Sequence, residues 1–239
     1  MVDPAGDRRM GGATAHRSLA CEGEMTNVTL AALAIGGVFA VAGALSERLA
    51  SAWPADEAQN RPFGWRTICL AVVSGLAAAG IVGRSELPWW GTGGYLALLG
   101  LLLVLTATDL EQRRLPHLVL DPLIVLAVLF VPFNPAVDPL MALIGAAAAV
   151  GFLGALALVV RGGLALGDLY LVAPIGLMLG WPMIFTALFA AAFLAAGTSI
   201  ILLIGKRVGM RSYIPFGPFL VGGAVLALLV DERTLALVR

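Results

Sequence analysis

Thr92-Gly-Gly-Tyr-Leu-Ala-Leu-Leu-Gly-Leu-Leu-Leu-Val-Leu-Thr-Ala-Thr108 runs without a single charge, and the residue that follows it is Asp109. Such a run reads as a membrane-crossing helix, because about 20 apolar residues cross roughly 30 Å of hydrocarbon. Lipid offers the backbone no hydrogen-bond partner, so the segment must bond to itself. Working outward, further charge-poor runs lie at 27–45, 67–83, 118–132, 139–160, 169–181, 183–204 and 213–230. Together they predict an all-α, polytopic transmembrane helix bundle of about eight spans, with seven as the alternative count for 169–204. The fourth and sixth runs are short, roughly 20–22 Å of helix at 1.5 Å per residue. They are expected to lie partly buried among the others or to extend into neighbouring loops.

Composition agrees. Of the 239 residues 60% are hydrophobic and 13% charged, with a mean hydropathy of +0.95. That excludes a water-facing domain, a disordered chain and a disulfide-stapled secreted scaffold. Formal charge is zero, so no nucleic-acid partner is expected; the lipid bilayer is the first partner. Cys21 and Cys69 form no CxxC pair, and His16 and His117 are the only histidines. No metal site of Cys and His ligands can be assembled from them, and no cofactor is expected.

The distribution of Lys and Arg sets the orientation. With the segment after the first span placed inside, nine cationic residues fall on the cytoplasmic side: Arg48, Arg61, Arg66, Arg113, Arg114, Arg161, Lys206, Arg207 and Arg211. Arg84, Arg233 and Arg239 fall outside, and Arg8, Arg9 and Arg17 lie in the N-terminal tail. Residues 1–24 are polar and patternless and read as a disordered tail, with translation from Met25 as the alternative; a single membrane-embedded domain occupies 25–235. No apolar run precedes residue 27, so no signal peptide is expected. Trp89 and Trp90 fall at an outer boundary, where indoles favour the interface.

An ionisable group at membrane depth is costly and calls for an explanation. Asp109 closes the third span and Asp168 opens the sixth, with two spans between them. Two crossings return the chain to the side it left, so both acids are expected at one depth on the cytoplasmic side. Structural roles compete with a functional one. Asp168 after Gly167 suits a helix cap, and Asp109 could pair with Arg113 one turn on. Asp121 before Pro122 and Asp138 before Pro139 read as caps. Glu47 with Arg48 and Glu111 with Arg114 read as solvated boundary charges, and His117 as an interfacial side chain. As a pair, two aspartates sharing a site cannot both ionise cheaply. The ionised one can take a proton from water while the protonated one polarises a peptide carbonyl, which amounts to hydrolysis without metal or covalent intermediate. Helix ends suggest Asp109 as the neutral acid and Asp168 as the carboxylate.

Three stretches resemble the type IV prepilin peptidases, polytopic GxGD-type aspartyl proteases of the inner membrane. Asp109-Leu-Glu-Gln-Arg-Arg-Leu-Pro116 is similar to the family's first aspartate, polar turn and Leu-Pro. Gly162-Gly-Leu-Ala-Leu-Gly-Asp168 resembles the block around the GxGD signature, and Ile214-Pro-Phe-Gly-Pro-Phe-Leu220 resembles its C-terminal Pro-Phe-Gly-Pro. The resemblance covers about residues 90–230 and implies Asp109 and Asp168 as the catalytic residues, supported by Pro116, Gly167, Pro215, Gly217 and Pro218. It implies an aspartic endopeptidase that removes the basic leader of type IV pilus or secretion prepilin-like proteins at the cytoplasmic boundary. Departures accompany it: Ala165 stands at the signature's first glycine, and Tyr170 where a lysine is common. Gly43-Ala-Leu-Ser-Glu-Arg48 is similar to the end of the family's first span, but 47–66 contains no cysteine. The two-CxxC insert of bifunctional members is missing, which implies a protease without methyltransferase activity. The competing readings are an ion- or proton-coupled transporter, since acids at helix breaks also mark such pathways, and an inactive relative acting as a scaffold.

Overall fold

Leu, Ala, Val and Gly runs whose amides find no partner in lipid close their own hydrogen bonds as helices. In the computed structural model the described residues are 7–53, 64–159, 166–206 and 215–236, with side chains described within 26–230. They form α1 (Asp7–Ala52), α2 (Trp65–Arg84), α3 (Trp89–Gln112), α4 (His117–Phe130), a 3-10 turn (Val131–Phe133), α5 (Pro139–Val159), α6 (Leu166–Leu179), α7 (Met183–Ile204) and α8 (Gly217–Ala236). Among the described residues there is no strand. The all-α membrane bundle of eight helices is thus what the apolar runs foretold. Helices α1 (from Thr26), α2, α3, α5 and α7 are long and apolar enough to cross a membrane, while α4, α6 and the apolar part of α8 are shorter. The expected tail 1–24 lies outside the described side chains, and its first six residues lie outside the described backbone.

Burial separates inner from outer helices. Of the most apolar stretch of α3, 56% is buried, against 17–28% for α1, α2, α5 and α7. Nearly all of α6 from Leu171 to Leu179 is buried too. The two helices that carry Asp109 and Asp168 are therefore the interior ones, and the outer helices present residues such as Leu33, Phe193 and Ile204 outward. Lipid is as apolar as leucine, so close van der Waals packing has to hold such helices together. Small residues make it possible at the α5–α6 contact. A Cβ on Gly176 would lie 2.6 Å from Ala146 Cα, and one on Gly145 would lie 2.6 Å from the Gly180 carbonyl carbon.

Polar side chains close backbone groups that the helices leave open. Pro182 has no N–H to offer the carbonyl of Met178, four residues back. The Tyr95 hydroxyl of α3 donates to that carbonyl at 3.0 Å, and Asn134 Nδ2 reaches it at 3.3 Å. Gly180, with φ +65, turns the chain out of α6, and Trp181 N–H then bonds Met141 O on α5 at 2.9 Å. Asp138 caps α5 as expected, its Oδ1 accepting from Leu140 N–H at 2.9 Å.

Candidate active site

The last turn of α3 carries Asp109 and the first turn of α6 carries Asp168. Both are buried, at 6% and 2% exposure, and close enough for their charges to interact. Helix α6 begins at Leu166, so Asp168 is its third residue rather than its cap. The pairing considered between Asp109 and Arg113 takes a different form. Arg113 ends α3 in the left-handed conformation (φ 54°, ψ 36°), and its backbone N–H bonds the Asp109 carbonyl at 2.9 Å. What touches the Asp109 carboxyl comes from elsewhere in the chain. Gly217, first residue of α8, faces it so closely that a Cβ there would stand 2.5 Å from Oδ2 and 3.5 Å from Leu171 Cδ2. The Gly217 amide is directed at this carboxyl, while Oδ2 itself is buried with no hydrogen-bond partner among the described residues.

The three quoted stretches converge on this spot. Gly217 joins the third stretch to Asp109 of the first and Leu171 beyond the second. Gly167 joins the second to the first, since a Cβ there would lie 2.9 Å from Leu115 Cδ1. Pro116 opens α4, its carbonyl receiving Val119 and Leu120 N–H at 3.0 and 3.1 Å. Pro215 and Pro218 flank the Phe216–Gly217 entry to α8. Ala165 lies outside the described residues. Tyr170 is half exposed and meets the His117 ring edge-on, centroids 5.9 Å apart, which ties the starts of α4 and α6. His117 is exposed, as an interfacial side chain should be.

Three expectations need correction. Asp121 does not cap α4: with φ near −67° Pro116 is already set for a helix start, and α4 begins at His117. Asp121 sits on the exposed face, 3.3 Å from His117 Nδ1 one turn back. Glu47 is not a free boundary charge, for Thr67 Oγ1 donates to it at 2.8 Å. Glu111 pairs with Arg66 of α2 at 3.3 Å and is only 12% exposed in its side chain, so it is not a solvated boundary charge. Together with Gln112 Nε2 donating to Ala50 O, these contacts bind the α1–α2 ends to the last turn of α3, beside Asp109. Sequence spacing could not find them, because they join helices distant along the chain.

The starts of α6 and α8 therefore both abut the Asp109–Asp168 pair, and the helix-end argument no longer separates the roles of the two acids. A pair of buried carboxyls from different helices can share one proton, and that suits acid–base hydrolysis of a peptide.

Such a helical membrane bundle, with two buried aspartates at one end, belongs to the class of polytopic membrane proteins with an internal acidic pair. Residues 96–200 match the type IV leader peptidase family, a stretch that contains both Asp109 and Asp168. The chain is 31% identical over 176 residues to a protein named prepilin leader peptidase/N-methyltransferase from Burkholderia pseudomallei (strain 1026b), covering 70% of this chain and 55% of that one. It is 33% identical over 147 residues to a protein of the same name from Aeromonas hydrophila (59% and 51% covered). A third, from Bacillus subtilis (strain 168), is 29% identical over 148 residues (59% and 57% covered). The chain spans about half the length of the curated relatives it matches. No solved structure is a significant match.

Proposed function

We propose that this chain is a membrane aspartic endopeptidase that removes the leader peptide of type IV prepilin-like proteins, with Asp109 and Asp168 as its catalytic pair. The observation that carries the reading is that α3 and α6 bury two carboxyls near enough for their charges to interact, at one end of the bundle. The family domain over 96–200 and the names of the relatives support the same reaction. In the cycle, one aspartate in its ionised form draws a proton from a water molecule, which attacks the scissile carbonyl carbon. Its protonated partner donates to the carbonyl oxygen. The proton taken from water then passes to the leaving nitrogen as the C–N bond breaks, while the other aspartate takes back the hydroxyl proton as the product carbonyl re-forms, which restores the shared-proton state.

One membrane-embedded domain over 25–235 holds the pair. The bundle lies in the inner membrane with the pair toward the cytoplasm, a placement supported by the excess of Arg and Lys on that side. The reaction is leader cleavage alone, without cofactor or metal, since no cysteine occurs in 47–66. The test is co-expression with a leader-bearing prepilin and mass spectrometry of its N-terminus. A shortened N-terminus with the intact chain and a full-length one with Asp109→Asn are expected. An unprocessed N-terminus with the intact chain overturns the reading, as does processing that survives Asp109→Asn.

A further inference from the structure

The start of α8 has been stripped of hydrogen-bond donors. Pro218 has no N–H, and the amides of Phe219 and Leu220 are both taken by the Phe216 carbonyl, at 3.0 and 3.1 Å. A helix normally offers about four free amides at its first turn; here the Gly217 N–H remains for another group, and it is directed at the Asp109 carboxyl. Gly217 is itself buried, and only the absence of a Cβ lets its backbone come so near Oδ2. Among the described residues Oδ2 has no hydrogen bond of its own, in a residue that is 6% exposed.

We infer that Gly217 is a positioning residue for Asp109: its bare Cα lets the start of α8 close on the carboxyl and, together with its amide, fixes that carboxyl's orientation. The inference deepens the proposed function by assigning the Pro215–Pro218 stretch a task in the site. Leu171 Cδ2 of α6 lies 3.5 Å from the same Cβ position and narrows that contact further. Asp168, also on α6, is the charged group that faces this carboxyl.

Two measurements test it, the first independent of activity. The sequence contains two Phe–Gly pairs, Phe63–Gly64 and Phe216–Gly217. Labelling carbonyl carbons of Phe with 13C and amides of Gly with 15N therefore isolates two NMR signals in the full chain in lipid nanodiscs. The Gly217 signal should move with pH through a titration that Asp109→Asn abolishes and Asp168→Asn merely displaces, while Gly64 stays as a reference. A Gly217 signal that does not titrate, or titrates unchanged in Asp109→Asn, overturns the inference.

The second measurement is cleavage. Gly217→Ala should lower kcat by about ten- to a hundredfold, the scale of a misplacement near 1 Å, with KM within about twofold. Gly222→Ala makes the same change on the same helix, where a Cβ meets only the flexible end of Leu194 at 3.1 Å. It should keep kcat within about twofold, as expected away from the reacting groups. Equal losses in the two variants, or a loss confined to KM, overturn the inference. If Gly217→Ala fails to accumulate, the NMR titration decides alone. If the intact chain cleaves no leader-bearing protein, the proposed function falls and the titration still judges Gly217.

Discussion

Replacing Tyr95 by Phe removes one oxygen, with its contacts to Met178 O at 3.0 Å and Asn134 Oδ1 at 3.1 Å, while the ring stays packed edge-on against Phe130 with centroids 5.6 Å apart. Tyr95 is 3% exposed, and its hydroxyl donates to the Met178 carbonyl that Pro182 leaves open. Leaving a buried carbonyl without its partner costs about 1–3 kcal/mol. Asn134 Nδ2, longer at 3.3 Å, stays within reach of the same oxygen, so the lower half of that range, about 1–2 kcal/mol, is expected. For a chain of this size that corresponds to a fall in Tm of roughly 2–8 °C. The assay is thermal unfolding of purified protein in one fixed lipid or detergent. Asn134→Ala should cost less than Tyr95→Phe, and the double variant should cost more than the sum, because only then is the carbonyl wholly unsatisfied. Ten residues of α6 separate Met178 from Asp168, about 15 Å of helix, so cleavage per folded molecule should hold below the transition. An unchanged Tm for Tyr95→Phe, or a larger fall for Asn134→Ala, refutes the accounting.

Asp109→Asn and Asp168→Asn should each nearly abolish leader cleavage, and the double variant should be scarcely worse, because residues that act as a unit are not additive; matched processing assays in membranes check this. On the proposed reading the intact chain should show a bell-shaped pH profile of cleavage, lost at low pH, where both acids are protonated, and at high pH, where both are ionised. Asp121→Asn should retain most activity and shift stability by less than about 0.5 kcal/mol in a chemical unfolding series, since Asp121 lies on the surface beside His117. Gly176→Leu should sharply lower the yield of folded protein in size-exclusion profiles, because even its Cβ would meet α5 backbone at 2.6 Å.

Hydropathy carried most of the architecture, since in lipid the length of an uncharged run and the need for internal hydrogen bonds leave little choice. Even the shortness of α4 and α6 was readable from 118–132 and 169–181. That Asp109 and Asp168 lie close enough to interact agrees with counting crossings, which needs no knowledge of packing. Contacts between distant helices were a different matter. Thr67 on Glu47, Arg66 on Glu111 and Tyr95 on Met178 depend on how helices rotate about their axes. A one-dimensional pattern of nearly all-apolar residues does not record rotation, because no polar face marks the inward side. Asp121 misled for a local reason: Asp-Pro suits a helix start, but Pro116 supplies one five residues earlier. Gly217 was singled out by its motif, while its touch on Asp109 belongs to three-dimensional closeness alone.

The carboxyls sit where helices stop, at the end of α3 and the beginnings of α6 and α8. Along its flank a helix has already spent its amides and carbonyls on itself, so an unwound peptide lying against that flank in hydrocarbon would find nothing to bond. Hydrolysis requires just such an unwound stretch, since the attacked carbonyl must leave its own ladder. A helix terminus is where a membrane-embedded backbone still has groups to lend. On the proposed reading, placing the acids where α3 ends and α6 begins lets a peptide be straightened for attack without stranding its polar atoms in oil.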